Sequence, residues 1–384
     1  MVHRLTFAVA ETRSFERAAI ALRQIGGNVL SIKTIERVAQ EVGGELATLR
    51  DAGQGLLLPT ADCPPALAVV QCDGGRIRTR ASDQGPGVHD HAWRETKNAC
   101  LVRMTCTTSA VDPQPELPKA FRDPRKVAEL AAKEPLSGLP PPTSDEAAEL
   151  QPDRADWRPK RLLRTCLSSM VSSSEFGTQM ASEARQRQFF DASARAFLGD
   201  GLPWNWSIWQ QHFPSFVPIL DFIHALSYVY QAALALRDDA AQVWSCYEAL
   251  ATACWQGRVD QVIGALTDWL QQQGIDAETK VAEGDPRQAV IDARRYLTNN
   301  RTRMDYPAYR QAGLPVTSAL MESLVKEINY RVKGSEMFWN DPAGAEAILQ
   351  IRAAALSEDD RLTRYLSTRP GHACIRRSSQ ALAA

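Results

Sequence analysis

Three acidic residues occupy positions from which a side chain could do chemistry. Asp73 and Asp200 each end a short apolar run that is typical of a buried strand, and a glycine follows each of them. Glu322 lies much later, in an apolar helical stretch after a Gly-Leu-Pro turn. Carboxylates are ligands that Mg²⁺ and Mn²⁺ prefer, and two such ions about 4 Å apart promote phosphodiester chemistry by activating a water or a 3′-hydroxyl. The three acids therefore predict a site for two Mg²⁺ or Mn²⁺ ions.

Each of these residues also has an ordinary structural interpretation. An Asp-Gly pair is a common turn dipeptide, so neither aspartate predicts catalysis without the other acids. Asp221 ends another strand-like run and competes with Asp200 for a metal position. His224, three residues later, could be a metal ligand or a general base, although a core histidine is the commoner case.

The composition narrows the class of protein. The 384 residues are 44% hydrophobic and 23% charged, which is enough for a large core in two or three domains. The sequence has no stretch of eighteen apolar residues and no Cys-x-x-Cys pair among its eight cysteines, so we expect a cytosolic protein without a membrane helix, a zinc ribbon or a disulfide framework. A net charge of −1 argues against a uniformly basic nucleic-acid binder but allows a local basic groove.

The first fifty residues predict two helices around a glycine turn. Ser14 can cap a helix that runs to about Gln24, and Ser31 can cap a second one that we expect to stop at Gly43. This arrangement suits a helix-turn-helix that contacts DNA, or a plain helical hairpin used for packing. The residues expected to face solvent on the second helix are Lys33, Thr34 and Arg37.

Strand and loop patterns follow these helices. Residues 66–72, with the alternating arginines up to Arg80, predict one strand, and residues 93–106 predict an antiparallel partner. Repeated prolines in 107–160 predict an exposed loop or linker with one helix near 124–133. From about 225 to 312 the pattern is helical throughout, which predicts an all-α insertion. The basic end of the linker suits a solvated flank or a contact with phosphates; its residues are Arg154, Arg158, Lys160, Arg161 and Arg164.

The succession of motifs resembles the DDE transposases of bacterial insertion sequences, in the ISKra-like group related to Mutator-type elements. The resemblance extends over VQCDGGRIRTR, WRETK, FLGDG, HFPSFVPILDFIHA and the stretch from YLTNNRTR to GSEMFW. It implies an α/β fold: a ribonuclease H-like catalytic core (a mixed sheet with flanking helices), interrupted by an all-α insertion and preceded by a helix-turn-helix. It also implies that Asp73, Asp200 and Glu322 bind the metals, and that His224 lies near the active site in the C/D-x-x-H signature that starts at Asp221.

The resemblance further implies an enzyme that cuts DNA at transposon ends and joins the freed 3′-hydroxyl to target DNA. The alternatives are a ribonuclease H-like nuclease without strand transfer, and an inactive or domesticated copy that only binds DNA. We expect DNA and further copies of this chain as partners, and a cytoplasmic, nucleoid-associated location in a bacterium. The candidate phosphate contacts are Arg76, Arg78, Arg301, Arg303, Arg331 and Lys333.

Two features depart from the family pattern. Relatives often carry more sequence before the helix-turn-helix, so we expect a shortened N-terminal region. Some relatives place Gly-Ser-Gly before the glutamate, where this chain has Val-Thr-Ser-Ala at 316–319. The expected division of the chain is a helix-turn-helix at 1–50, the first part of the core at 60–106, a loop or linker at 107–160, the second part of the core at 161–224, the all-α insertion at 225–312, the helix with the last acid at 313–340 and a helical tail at 341–384.

Overall fold

The chain folds as a mixed α/β protein. A computed structural model describes residues 1–53, 63–80, 92–134, 136, 157–275, 281–334 and 337–369. Within these ranges, no helix is both long and apolar enough to cross a membrane.

Within the described ranges, five strands form one mixed sheet. They are β1 (Leu67–Thr79), β2 (Ala92–Met104), β3 (Arg161–Ser169), β4 (Ala194–Gly199) and β5 (Val217–Leu220). Their spatial order is β3-β2-β1-β4-β5. The strands β1, β2 and β3 pair antiparallel, whereas β4 and β5 continue the sheet parallel to β1. The ends of β4 and β5 therefore lie at one edge of the parallel half, alongside the middle of β1.

Helices surround this sheet and fill the rest of the described chain. They are α1 (Val2–Glu11), α2 (Phe15–Gln24), α3 (Ile32–Asp51), α4 (Pro124–Leu130), α5 (Ser173–Gln186), α6 (Pro203–His212), α7 (Phe222–Leu236), α8 (Ala240–Trp255), α9 (Val259–Gln272), α10 (Arg287–Asn300), α11 (Tyr306–Gln311), α12 (Ala319–Val332), α13 (Pro342–Leu356) and α14 (Arg361–Thr368). The helices α7 to α11 form one block between β5 and α12. The remainder of the expected tail, 370–384, lies outside the described residues.

The helix α3 continues through the glycine at which the sequence predicts its end. Gly43 lies in the middle of α3, where that helix crosses α13. A Cβ at this position would lie 2.2 Å from the main-chain oxygen of Ala347, so any larger residue would collide with α13. The glycine therefore permits close packing of two helices instead of ending one of them. Arg50, at the far end of α3, adds an ion pair to Glu346 at 3.0 Å.

Residues 107–134, which belong to the segment predicted as an exposed loop or linker, combine exposed positions with side chains that pack against the helical block. Phe121 is buried, and its carbonyl oxygen accepts a hydrogen bond from the Tyr247 hydroxyl at 2.9 Å. Asp112 forms a bidentate ion pair with the fully buried Arg310. The helix α4 occupies the stretch in which a helix is predicted. These contacts fix the segment to α8 and α11.

The strand β3 is not predicted by the sequence, because its arginines resemble a solvated flank. Arg164 is buried in the structure, and its guanidinium donates to the Glu327 carboxylate at 3.2 Å. Arg161 pairs with Glu358 at 3.3 Å. The positive charges of both arginines are neutralised by acids of this chain, so Arg164 is not available to a phosphate.

Candidate functional site

Two of the predicted acids lie level with each other in the sheet. Leu67–Gln71 of β1 pairs in parallel with Ala194–Leu198 of β4. The same register, continued for two residues, brings Asp73 level with Asp200. Asp200 therefore follows the carboxyl end of β4, a place where ligands of α/β proteins commonly bind, and Asp73 lies beside it in the middle of β1. The sheet therefore positions two carboxylates from distant parts of the chain at one edge.

The turn at Asp200 is held from two directions. Its Oδ1 accepts hydrogen bonds from the Leu202 amide at 2.9 Å and from Asn205 Nδ2 at 2.5 Å. Its main-chain carbonyl accepts from the Tyr296 hydroxyl of α10 at 2.6 Å. Gly201 has a φ of +95°, and a Cβ there would lie 2.6 Å from the Tyr296 ring. The backbone conformation and the close ring both require glycine at position 201. This requirement explains why a glycine follows Asp200.

The surroundings of Asp73 and Asp200 disfavour a negative charge on both carboxylates at once. Burial, followed by the charge of Asp200, raises the pKa of Asp73 to about 6. Burial also raises the pKa of Asp200, although the hydrogen bond from the Leu202 amide and the charge of His224 oppose the change. A neighbouring carboxylate has this effect because its negative charge disfavours ionisation of the other group; Asp200 acts in this way on Asp73, and Asp221 on Asp200.

Asp221, at the end of β5, uses all of its lone pairs within the protein. The residue is fully buried. Its Oδ1 accepts from the amides of Ile223 at 3.3 Å and Ser318 at 2.9 Å. Its Oδ2 accepts from Ser318 Oγ at 2.8 Å and lies 2.6 Å from His224 Nδ1. A carboxylate has about four acceptor positions, and these contacts occupy all of them. Asp221 therefore connects the start of α12 to the end of β5. Asp200 is the acid that still has lone pairs available to a metal ion.

His224 adds a positive charge beside these acids. Burial disfavours the imidazolium, but the hydrogen bond and charge of Asp221, with the charges of Asp200 and Asp73, outweigh it and raise the pKa of His224 to about 9. The ring is therefore protonated at neutral pH and donates its Nδ1–H to Asp221. In this state His224 offsets negative charge and has no lone pair for a metal or for a proton.

Glu322 lies on the face of α12 that packs toward β1. Asn329 is two helical turns later on the same face, and its Oδ1 lies 3.9 Å from where a Cβ of Gly75 would be. The start of α12 is fixed to the end of β5 through Ser318 and Asp221. Burial, followed by the charge of Asp221, raises the pKa of Glu322. The third acid therefore approaches the same edge of the sheet from a helix.

The donor set fits a divalent cation in its chemistry. Within the described ranges, no three Asp, Glu, His or Cys side chains converge as a ready metal-binding group. Asp73 and Asp200 are nevertheless carboxylates with raised pKa values, and a bound divalent cation would relieve their repulsion. The residues that could hold such an ion are Asp73, Asp200 and Glu322.

Most of the basic residues expected to contact DNA are accessible. Arg78 lies with its guanidinium 4.9 Å from the ring centre of Trp93, and Lys333 Nζ lies 5.9 Å from the same ring. Trp93 itself is exposed, so two cations flank an accessible aromatic face. Thr34 is half-buried and bonds to the capping Ser31. The exposed candidates are Lys33, Arg37, Arg76, Arg301 and Lys333.

Arg303 is only partly available to a nucleic acid. Its guanidinium lies 4.3 Å from the ring centre of Trp206 and donates to the Asn299 carbonyl at 3.2 Å. Burial lowers the pKa of Arg303. This arginine is therefore held against an aromatic surface instead of extending into solvent.

The expectation that Arg331 contacts phosphate is wrong. Its side chain is buried, because the N-terminal helices cover this end of α12. Nε donates to the Val9 carbonyl at 2.9 Å and Nη1 to the Arg13 carbonyl at 3.4 Å. The guanidinium lies 4.9 Å from the Phe15 ring centre and 5.7 Å from that of Trp339. The position of Arg331 near a helix end predicts exposure, but residues from the N-terminal end of the chain cover its side chain.

Three polar residues that support the site are missed by sequence reasoning. Asn205 and Tyr296 hold Asp200, and Ser318 holds Asp221. Ser318 belongs to the Val-Thr-Ser-Ala stretch at 316–319, but no pattern in the sequence connects it with Asp221. A hydrogen-bonding side chain five residues after Asp200 is a weak signal for Asn205. No pattern marks Tyr296, since it reaches Asp200 from a different part of the fold.

Comparison with known proteins gives a likeness among solved structures and none among sequences. No family model and no curated protein matches the sequence. Among solved structures, the chain is similar to one in the Drosophila P element transposase strand transfer complex, with a TM-score of 0.37 and 11% sequence identity. The match covers 93% of this chain and 92% of that chain.

Proposed function

We propose that this protein is a DDE-type transposase of the kind found in bacterial insertion sequences of the ISKra-like group, with Asp73, Asp200 and Glu322 as its catalytic acids. The observation that carries the proposal is that Asp73 lies on β1 and Asp200 directly after the parallel strand β4, close enough for the charge of Asp200 to raise the pKa of Asp73. Carboxylates brought together against their own repulsion are typical of functional sites. Mg²⁺ or Mn²⁺, in two copies, is the proposed cofactor.

The surrounding fold supports this proposal. A mixed sheet, antiparallel in one half and parallel in the other, is followed by a long helical block before the helix that carries the last acid. This organisation is consistent with a ribonuclease H-like core that contains an all-α insertion. In the same proposal, α2 and α3 form the helix-turn-helix, with Lys33, Thr34 and Arg37 near the start of α3.

The two aspartates have residues of this chain that orient them for the proposed reaction. Asn205 and Tyr296 hold Asp200, and the Gly74 amide donates to Asp73 Oδ1 at 2.6 Å. When bound, the divalent ions would supply the positive charge that activates an attacking oxygen and stabilises a leaving oxygen of the phosphodiester. Exposed basic residues would neutralise the DNA backbone and fix its position relative to the acids.

The proposal is tested by divalent-dependent DNA cleavage and strand transfer with the DNA that flanks the gene. Asp73→Asn, Asp200→Asn and Glu322→Gln should each lower the rate of both reactions by about a hundredfold or more, because each removes charge that the transition state depends on. The control is Asp268→Asn, which changes an exposed acid on α9 and should leave both rates unchanged. Full activity in the Asp73 or Glu322 variant would overturn the assignment of the acids.

The same assay separates the alternatives. Cleavage without joining would identify a ribonuclease H-like nuclease, and DNA binding without cleavage would identify an inactive or domesticated copy. Inverted repeats on both sides of the gene would support a mobile element. Sedimentation of the chain with such end DNA should show a dimer or a larger assembly, because a transposase must hold two ends together.

A further inference from the structure

A cavity of about 260 Å³ lies where the N-terminal helices meet the end of α12. Its walls come from α2, α3, α12 and the segment that leads into α13, and the described lining residues include none of the three acids. Pockets for drug-sized ligands occupy about 300–1,000 Å³, so this cavity suits a single planar ring system. The side chains that matter for its chemistry are Phe15, Glu36, Gln40, Arg331 and Trp339.

Arg331 lines this cavity with an unsatisfied donor. Its side chain is 1% exposed, and Nη2 has no hydrogen-bond partner among the described residues. Among the described residues, the guanidinium contacts two main-chain carbonyls and two aromatic rings, and it forms no ion pair with a carboxylate. A leucine could fill the space between Phe15 and Trp339 without burying an unpaired charge. The presence of an arginine at this position therefore indicates a ligand that supplies a hydrogen-bond acceptor.

The other polar groups favour an uncharged ligand over an anion. The carboxylate of Glu36 lines the cavity and is half-buried. A second lining carboxylate, that of Asp341, caps α13 by accepting from two amides of its first turn. Two carboxylic acids among the residues that line one cavity would repel a phosphate. A neutral ring with an acceptor for Arg331 and an N–H donor for Glu36 would satisfy both side chains.

A nucleobase has this combination of properties. Every base has a flat apolar face and an edge with both donors and acceptors, and arginine is a common partner of such edges. Proteins that receive an unstacked base read its edge with hydrogen bonds and surround its faces with aromatic or apolar side chains. Phe15 and Trp339 provide aromatic walls here, and Gln40 adds an amide that can both donate and accept.

We infer that this cavity receives one nucleobase unstacked from bound DNA, with Arg331 and Glu36 contacting its edge. The inference rests on the proposed function, since it assumes that the chain holds DNA on its N-terminal helices. Glu36 and Gln40 are one turn apart on α3, and the exposed Lys33 and Arg37 alternate with them along the same helix. A strand held by the exposed residues would have a base within reach of the cavity.

The test measures how much one base adds to the binding of a DNA backbone. The probes are two single strands of equal length and charge, one wholly abasic and one with a single central 2-aminopurine. Binding is followed in EDTA by fluorescence anisotropy of a terminal dye, and insertion by the 2-aminopurine signal. The wild-type chain should bind the base-containing strand about tenfold more tightly, in line with one stacked and hydrogen-bonded base.

Two variants should remove this preference. Arg331→Leu removes the donor and keeps an apolar group between the rings. Gly344→Leu fills the cavity without changing Arg331, because a Cβ at Gly344 lies 3.0 Å from the flexible end of Gln40. The matched control is Gly44→Leu, at an exposed helical glycine with no atom within 4 Å of the added Cβ. It should keep the wild-type preference.

The results separate this inference from the proposed catalytic function. Equal affinity of the wild type for both strands, or an undiminished preference in Gly344→Leu, would overturn the inference. Equal competition by inorganic phosphate and by the base-containing strand would identify an anion site and would also overturn it. Asp73→Asn should keep the tenfold preference, since no metal is present. If the protein showed no catalysis in the transposition assay, the measured preference for the base-containing strand would still stand.

Discussion

The charge of His224 should make the stability of the protein depend on pH in a defined direction. Burial opposes the imidazolium, but Asp221 and the neighbouring acids raise the pKa of His224 to about 9, from its usual 6.5. The stabilisation is therefore fully present below pH 6.5 and is lost as the pH rises through 9. A pKa raised by this amount corresponds to about 3.4 kcal/mol if all of it is transmitted. Because the imidazole is 35% exposed, solvent screening reduces this to roughly 2 kcal/mol.

The assay compares the wild type with His224→Gln by urea denaturation in EDTA, followed by far-UV circular dichroism between pH 6.5 and 10. The free energy of unfolding should favour the wild type by about 2 kcal/mol more at pH 6.5 than at pH 10. The variant keeps a neutral, hydrogen-bonding side chain at every pH in this range, so the difference isolates the charge. The wild-type resonance of the His224 ring in an NMR titration should show the same raised pKa.

His212→Gln is the matched control and should give the opposite sign. Burial, followed by the charge of Arg185, lowers the pKa of His212, so the fold disfavours its protonated form. The advantage of the wild type over this variant should therefore grow as the pH rises from about 5 to 6.5 and change little from pH 6.5 to 10, so this control is measured from pH 5 upward. A difference between the wild type and His224→Gln that stays constant from pH 6.5 to 10 would refute the assignment of a charged His224.

Three further substitutions test individual contacts. Asp112→Asn leaves Arg310 buried without its partner and should lower the free energy of unfolding by about 3 kcal/mol, measured in urea at pH 7; an unchanged midpoint would contradict the ion pair. Gly43→Val should cost about 1–3 kcal/mol or more by forcing α3 away from α13, whereas Gly44→Val, one residue later on the exposed face, should change the midpoint little. Tyr296→Phe removes one hydrogen bond to the second acid and should cost about 1 kcal/mol while lowering strand transfer; equal rates would mean that this bond does not position the acid.

Much of the sheet and of the acidic site follows from local sequence patterns. The apolar runs before Asp73, Asp200 and Asp221 correspond to β1, β4 and β5, because a strand buried on both faces must be apolar throughout. The continuous helical pattern of 225–312 corresponds to the block from α7 to α11. These features depend on each segment alone, so a single sequence is sufficient to predict them.

The features that sequence missed depend on contacts between distant segments. Arg164 appears solvated until Glu327 is placed beside it, 163 positions later in the chain. Arg331 appears exposed until Val9 and the first helices cover it. Gly43 predicts the end of a helix from sequence alone, whereas in the fold it lets α13 pack closely against α3. In each case the local chemistry permits two interpretations, and the partner that decides between them is set only by the three-dimensional fold.

The hydrogen bonds between Asp221 and Ser318 also have a consequence for how this chain could change over time. The amide of Phe222 donates to the carbonyl of Val316 at 3.0 Å, so the helical block leaves and rejoins the core at one point. Doubling the length of a closed segment costs only about 0.6 kcal/mol in chain entropy. The loops of the block can therefore lengthen or shorten without moving Glu322 away from Asp200, provided that α10 keeps Tyr296 against the Asp200 carbonyl. Insertions and deletions in related chains should accordingly accumulate between these two positions and spare the four residues at the junction.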